Sequence, residues 1–283
     1  MKLVIFAEGT ATTDTAEKKN SFQELWKWLV KRCSVPEERF EIRGFAKSEL
    51  VVMYKNWHGG KPRELPMSPN GETQQLVEPH YANAEALDLR IKRIYGADLK
   101  DVERLIIALD QNPKHDALKG KCRHAELLLA LLSFAESPHL PESFRDAARQ
   151  LHDFYFNQAI PKQPRLNAKS KIEILVMERL FEDLLLQDAK GFRDAIGLDS
   201  WPRDWPSFSL STARPDRDIF AKACSFAPPE IKHLLGDRRG DRGGGCRDKA
   251  RWAKHILEKL DANATSPVWQ HKIYLRLRRL CAA

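Results

Sequence analysis

Three apolar runs that end at acids, and an opening order of strand, polar loop, helix and strand, predict an α/β fold. The expected form is a parallel sheet flanked by helices, followed by a basic, mainly helical C-terminal region. The runs are KLVIFA (Lys2 to Ala7), LIIAL (Leu105 to Leu109) and IEILVM (Ile172 to Met177). At 283 residues the chain can bury a sizeable core without covalent staples. An apolar fraction of 42% and a charged fraction of 30% belong to a globular chain rather than a disordered one. No apolar run approaches the roughly 20 residues of a membrane helix. Leu3 to Ala7 is too short for a signal core. The expectation is a soluble, cytoplasmic chain with no membrane partner.

KLVIFA stops at Glu8-Gly9 and reads as a buried central strand. Ser21 and Glu24 stand at capping-box spacing, which predicts a helix from Ser21 that carries Phe22, Leu25, Trp26, Leu29, Val30 and Cys33 on one face. Pro36 closes it, and Phe40 and Ile42 suggest a second strand. His58 to Pro79, rich in Gly, Pro, Ser and Asn, reads as a long surface excursion, and Leu87, Ile91 and Ile94 mark a helix over 83–95. LIIAL is a buried strand ending at Asp110, followed by a helix with Leu118, Cys122, Ala125, Leu129 and Leu132, and another over 142–156. A Pro-rich linker over 160–168 leads to IEILVM, which is either a strand or the start of a longer helix; residues 178–188 read as helical. Pro202, Pro206 and Pro215 break any helix over 199–216 and suggest domains of 1–200 and 201–283. Helices are expected over 216–224, 228–235, 249–260 and 268–281.

The five cysteines are odd in number and scattered, with no metal-finger spacing, so they read as reduced, mostly half-buried thiols. Charge is distributed unevenly. Residues 201–283 hold 17 Lys and Arg against 9 Asp and Glu, which accounts for the whole net charge of +8; residues 1–200 hold 30 of each. A neutral body with a basic end suggests a nucleic-acid partner, DNA or RNA, because clustered cations displace counterions from phosphate. A basic surface kept for solubility is the plainer alternative. The loop GDRRGDRGGG offers Arg238, Arg239 and Arg242, joined by Arg247, Lys249, Arg251 and Arg276 as expected backbone contacts. Lys249, Arg251 and Lys254 are expected outward on their helix, as are Lys272, Arg276 and Arg279 on the last one.

In an open parallel sheet, ligands bind beyond the carboxyl ends of the strands. Glu8, Asp110 and Glu178 with Glu182 follow the three runs, so parallel neighbours would gather them at one edge. Gathered carboxylates repel unless a cation neutralises them, and hard oxygen donors suit Mg²⁺ or Mn²⁺. An acidic divalent site beside a basic surface fits phosphodiester hydrolysis. The plain alternatives are acids that mark where strands meet water, and a solvated helix face for Glu178 and Glu182. No Walker A loop, dinucleotide fingerprint or Gly-x-Ser-x-Gly elbow is present.

KLVIFAEGTATTDT, with an acid and a glycine straight after the first strand, resembles the start of TOPRIM domains, the acidic metal-binding folds of topoisomerases, primases and OLD (overcoming lysogenization defect) nucleases. LIIALDQN stands where that family has Asp-x-Asp, with Asn112 in place of the second Asp. Phe181 to Asp188 (FEDLLLQD) resembles the Phe-Glu-x-Trp-Leu-Leu-Ala-Asp segment of a TOPRIM-like family of bacterial proteins with relatives among phage-defence genes, and Leu184 replaces its Trp. The resemblance runs over roughly residues 1–190 in short segments. It implies Glu8, Asp110 and Glu182 as catalytic acids. It implies a metal held by Glu8, Asp110, Asn112 and Glu182, with Glu178 the alternative to Glu182. It also implies a defence role with a partner protein. Two functions are therefore carried forward: a metal-dependent nuclease, and a non-catalytic nucleic-acid-binding or sensor subunit, the latter favoured by the uncharged Asn112.

Overall fold

Among the described residues, four parallel strands form one sheet: β1 (Lys2–Glu8), β2 (Phe40–Phe45), β3 (Val102–Asp110) and β4 (Ile172–Met177), paired in the order β2-β1-β3-β4. The computed structural model describes residues 2–9, 16–45, 102–110, 140–156, 162–165, 169–177, 184–202, 217–236 and 248–282, with Leu127, Leu131, Phe134, Ala135, Gln158 and Asn167 between them. The expected excursion over 58–79 and the helix over 83–95 lie outside the described residues, as does most of the helix expected after Asp110. IEILVM, ambiguous by periodicity, is a strand.

The strands bury both faces, as parallel strands must. Val4 and Phe6 of β1, Leu105, Ile107 and Leu109 of β3, and Ile172, Ile174 and Val176 of β4 share one apolar cluster with Phe144, Ala148, Leu151 and Tyr155 of α2 (Glu142–Phe156). The alternate residues, Ile5, Ala7, Ile106, Ala108, Leu175 and Met177, share the other with α1 (Ala16–Arg32) and the C-terminal helices. Those helices are α4 (Arg217–Ser225), α5 (Pro229–Leu234), α6 (Lys249–Asp261), α7 (Pro267–Gln270) and α8 (Lys272–Ala282), preceded by α3 (Ala189–Ala195). One apolar cluster therefore contains residues from both sides of residue 200. None of the described helices is long and apolar enough to cross a membrane.

Two local expectations are corrected. Ser21 is not an N-cap: α1 begins five residues earlier, at Ala16, and the Ser21 hydroxyl donates to the Glu17 carbonyl at 3.1 Å. Glu24, instead of reaching back, lies 3.8 Å from Lys27 one turn on. The single last helix is two, because His271 adopts an extended conformation (ψ 138°) between them.

The linker before β4 straps the strand's outer edge. Gln163 donates through Nε2 to the Ile174 carbonyl (3.0 Å) and accepts at Oε1 from the Val176 amide (2.8 Å), so its amide group takes the place of a neighbouring strand. Tyr155 donates to the Lys162 carbonyl at 3.0 Å. Glu173, the second residue of β4 and only 2% exposed, accepts from the Asn167 amide (3.0 Å) and from Arg276 of α8 (3.1 Å). Arg104 of β3 donates to the Leu280 carbonyl at 3.2 Å, a cation against the C-terminal turn of α8. The last helix is thus held to the sheet by two arginine contacts, one buried and one partly buried. Burial holds the Glu173 carboxyl above its ordinary range, against the pull of the Asn167 amide and of Arg276.

Removing one partner of a buried pair strands the other. Arg276→Met should lower stability by about 3 to 5 kcal/mol, and Glu173→Leu in the same chain should recover most of the loss. A carboxyl whose folded pKa is raised contributes stability at low pH that is lost as pH rises through that pKa. The deficit of Arg276→Met should therefore be smallest near pH 4, about the carboxyl's unfolded value, and grow toward about pH 7. Urea denaturation of the three proteins across that range checks both statements.

Candidate functional site

The carboxyl edge of the sheet is where the acids fall. Glu8 is the last residue of β1 and Asp110 the last of β3, and these two strands are adjacent and central in the sheet. Ala7 pairs with Ala108, so Glu8 stands one step beyond that pair and Asp110 two. With strands about 4.8 Å apart and a rise of about 3.3 Å per residue, the two α-carbons are about 6 Å apart. Met177 pairs with Asp110, which brings the exit of β4 to the same edge, and Phe45 pairs with Glu8 on the other side. The side chains of Glu8 and Asp110 lie outside the described residues, as do Asn112, Glu178 and Glu182. Among the described residues no group of three or more His, Cys, Asp or Glu is gathered where it could hold a metal.

Gly9 is fixed by packing. A Cβ there would overlap the ring of Phe22, which lies in the core 6% exposed, with its ring 6.5 Å from that of Trp26. The helix α1 therefore presses against the exit of β1 at the point where the chain leaves Glu8, and only a residue without a side chain fits beneath it.

The basic end divides into cations that are engaged and cations that face water. Arg238, Arg239, Arg242 and Arg247 lie outside the described residues. Lys249 is the first residue of α6, next to the N-cap Asp248, whose carboxylate accepts from the Arg251 amide at 3.0 Å. Arg251 lies 2.8 Å from Glu17 of α1 and 3.9 Å from Asp248. Lys254 pairs with Glu258 at 2.9 Å. Arg276, expected on the outward face, is instead turned inward onto Glu173, its side chain 12% exposed. The periodicity does hold for the inward residues: Trp252, Ile256, Leu260, Ile273, Leu277 and Leu280 are all buried. Gly236, with φ at +79°, lies against α6: a Cβ there would stand 2.7 Å from Arg251 Nη1.

Sequence reasoning missed Asp188. It caps α3 by accepting from the Gly191 amide at 2.8 Å and takes the hydroxyl of the fully buried Ser266 at 2.7 Å. The last acid of FEDLLLQD thus ties α3 to the turn before α7, and Leu184, Leu185 and Leu186 of the same segment are buried. The signal was present as an Asp followed by Gly191 three residues on, the spacing of an N-cap and its third amide. No family model matches the chain, and neither a curated protein nor a solved structure matches it.

Gly9→Ala should force the strand exit and Phe22 apart and lower stability by about 1 to 3 kcal/mol, the range of an overpacked core. Phe22→Leu in the same chain should relieve part of that loss, and thermal unfolding of both variants reads it.

Proposed function

We propose that the chain is a metal-dependent nuclease, with acids at the carboxyl edge of the sheet hydrolysing phosphodiester bonds and a basic C-terminal surface holding the backbone. One observation carries this reading: Glu8 and Asp110 end adjacent, central, parallel strands, at the edge where open α/β sheets bind ligands. The resemblance to TOPRIM domains includes the same two residues, together with the segment Phe181 to Asp188. The donor set suits a hard cation: Glu8, Asp110, the amide oxygen of Asn112, and Glu182 or Glu178 would hold Mg²⁺ or Mn²⁺ through oxygen alone. When bound, such a cation supplies a Lewis acid for the phosphoryl oxygen. Glu8 is the residue assigned to take a proton from the attacking water, and Gly9 allows the chain to turn away directly after it. The charge surplus, confined to residues 201–283, favours a nucleic acid as the polymer, DNA or RNA.

A second reading is a binding or sensor subunit without catalysis, and Asn112 favours it. An amide oxygen carries no charge, so a site with Asn112 attracts a cation less strongly than one with two aspartates. Either reading accommodates a partner protein and a defence role, which rest on the family resemblance alone.

Cleavage of plasmid DNA or of tRNA in Mg²⁺ or Mn²⁺ should fall about 10²- to 10⁴-fold in Glu8→Ala, the range of a lost proton-transfer group. In the free protein Asp110→Ala should abolish cation binding and Asn112→Asp should tighten it, as read by calorimetric titration. Unchanged affinity in both variants would turn the reading toward the binding subunit.

The basic end has its own test. Neutralising Arg238, Arg239 and Arg242 together should weaken nucleic-acid binding and flatten its salt dependence by about one unit of slope for each phosphate contact removed. Binding isotherms over a series of salt concentrations measure that slope, and an unchanged slope would exclude the loop from the interface.

A further inference from the structure

The helix that follows β1 overshoots the sheet. β1 and β2 are parallel neighbours, so α1 between them runs from the carboxyl edge back to the amino edge. Gly9, the residue after Glu8, lies against Phe22, and Glu17 and Lys18 come five and four residues before Phe22. At about 1.5 Å per residue, they stand about 6 to 7.5 Å further out along the helix axis. The exposure of the chain agrees: Ala16 to Asn20 all face water, and burial begins at Ser21 and Phe22. Lys18 continues the buried stripe of Phe22, Leu25 and Leu29, which lie four, seven and eleven residues after it. That stripe faces the sheet, so at Lys18, past the end of the strand, it overhangs the exit of β1. Helical side chains lean toward the N-terminus, which carries this ammonium further over the edge.

The basic region brings further cations to the same end. The first turn of α6 is joined to the first turn of α1 by Arg251 and Glu17 at 2.8 Å, and Asp261, the last residue of α6, pairs with Arg32, the last of α1, at 2.8 Å. The two helices therefore run parallel, and both N-termini lie toward the edge at which β1 and β3 end. Lys249 and Arg251 stand in that first turn of α6. Other cations of the basic region lie elsewhere. Lys259 is in the last turn of α6, and α8 is held to Glu173 and Arg104, near the starts of β4 and β3, which places Arg279 toward the amino edge. The Arg251–Glu17 pair is open to water, with side chains 33% and 70% exposed. Such a pair is weakly held, and a phosphate offers the guanidinium the same two-oxygen fork as a carboxylate.

We propose that Lys18, Lys249 and Arg251 form a phosphate-binding rim for a nucleic-acid backbone at the carboxyl edge, and that Arg251 exchanges Glu17 for phosphate when the backbone arrives. The rim joins two parts of the chain that composition separates: Lys18 belongs to the neutral residues 1–200, yet by position it stands with the first turn of α6. Glu17 keeps the guanidinium pointed toward α1 in the free protein, beside Lys18, so the fork is already placed for an incoming phosphate. The proposal rests on the nuclease reading in one respect: a backbone held by the rim would run past the exits of β1 and β3, where Glu8 and Asp110 stand. The rim residues hold and position the polymer; the acids are left to the chemistry.

The test titrates fluorescently labelled single-stranded DNA and RNA oligonucleotides with the full chain in EDTA and reads anisotropy over a series of salt concentrations, so that binding is measured without cleavage. Replacing Lys18, Lys249 and Arg251 together by Gln should weaken binding about tenfold or more and lower the salt slope by about 2, three contacts at about 0.7 each. Lys18→Gln alone, at an exposed position outside the Arg251–Glu17 pair, should lower the slope by about 0.7 whatever Arg251→Gln does to folding. Lys259→Gln with Arg279→Gln should cost less slope than Lys18→Gln with Arg251→Gln. Glu17→Gln should tighten binding about 2- to 5-fold, the strength of an exposed pair, and the gain should vanish in Arg251→Gln. An unchanged slope in Lys18→Gln would overturn the proposal, and so would an equal gain from Glu17→Gln with and without Arg251. With Mg²⁺ restored, binding through the rim without cleavage would refute the nuclease reading and leave the rim standing. Glu8-dependent cleavage whose KM is unmoved by loss of the three cations would overturn the rim and leave the nuclease.

Discussion

A parallel sheet has two apolar faces, and its strands are stable only when both are covered. Everything else in this fold follows from that demand. One face of the sheet is closed by α2 and by Leu127, Leu131 and Phe134. The other is closed by α1 together with helices from the last third of the chain, so that Ile5 and Ala7 of the first strand share a core with Trp252, Ile256 and Leu277. Each fully buried aliphatic or aromatic side chain in such a cover is worth about 1.5 to 3 kcal/mol. The basic region therefore has a structural duty that its composition does not advertise. Its apolar stripes complete the core, and only what remains of its surface is free to carry charge.

The same demand explains the buried charges. An edge strand such as β4 exposes a row of amides and carbonyls, and here the linker supplies a side-chain amide, Gln163, in place of a further strand. Glu173 lies in that strand on the face that α8 covers. A buried carboxylate without a partner is far costlier than one with a hydrogen-bonded cation, so the helix that covers it has to bring one, and Arg276 is that cation. The pair adds little to net stability compared with an apolar pair of equal volume. What it contributes is placement: α8 cannot slide or rotate along β4 without breaking it.

Much of this was readable from residue order. KLVIFA, LIIAL and IEILVM are strands because uninterrupted apolar runs suit elements buried on two faces, and the apolar spacing of α1, α2, α6 and the last helix matches their buried sides. The start of α1 was misread because a capping box is a local pattern, and Ala16 to Asn20 are compatible with helix once the chain downstream is packed. Arg276 was misread for a geometric reason. It stands one residue before Leu277 and three after Ile273, at the border of the apolar stripe, where periodicity cannot say whether a long side chain turns out or in. The lone Glu173 inside IEILVM was the missing clue, since an acid in a strand buried on both faces requires a cation from some other element. At the candidate site the strand-end position of Glu8 and Asp110 was legible. The role of Gly9 was not, because it is set by a helix residue thirteen positions away in sequence, Phe22.

The distinction between arginines that hold the fold and arginines that hold a ligand follows from electrostatics. A guanidinium already bonded to a buried carboxylate has given up its water and its counterions, so phosphate could gain little from it without first breaking the pair. Arg276 is in that position, whereas Arg251 pairs across two helices with the exposed Glu17 and keeps much of its contact with water. The surplus of +8 in residues 201–283 counts these arginines together with the solvent-facing ones. The part available to a polyanion is accordingly smaller than the net charge suggests. It shifts toward exposed positions such as Lys259 and Arg279. A composition boundary therefore identifies where cations are concentrated, and the packing of each helix decides which of them a partner can reach.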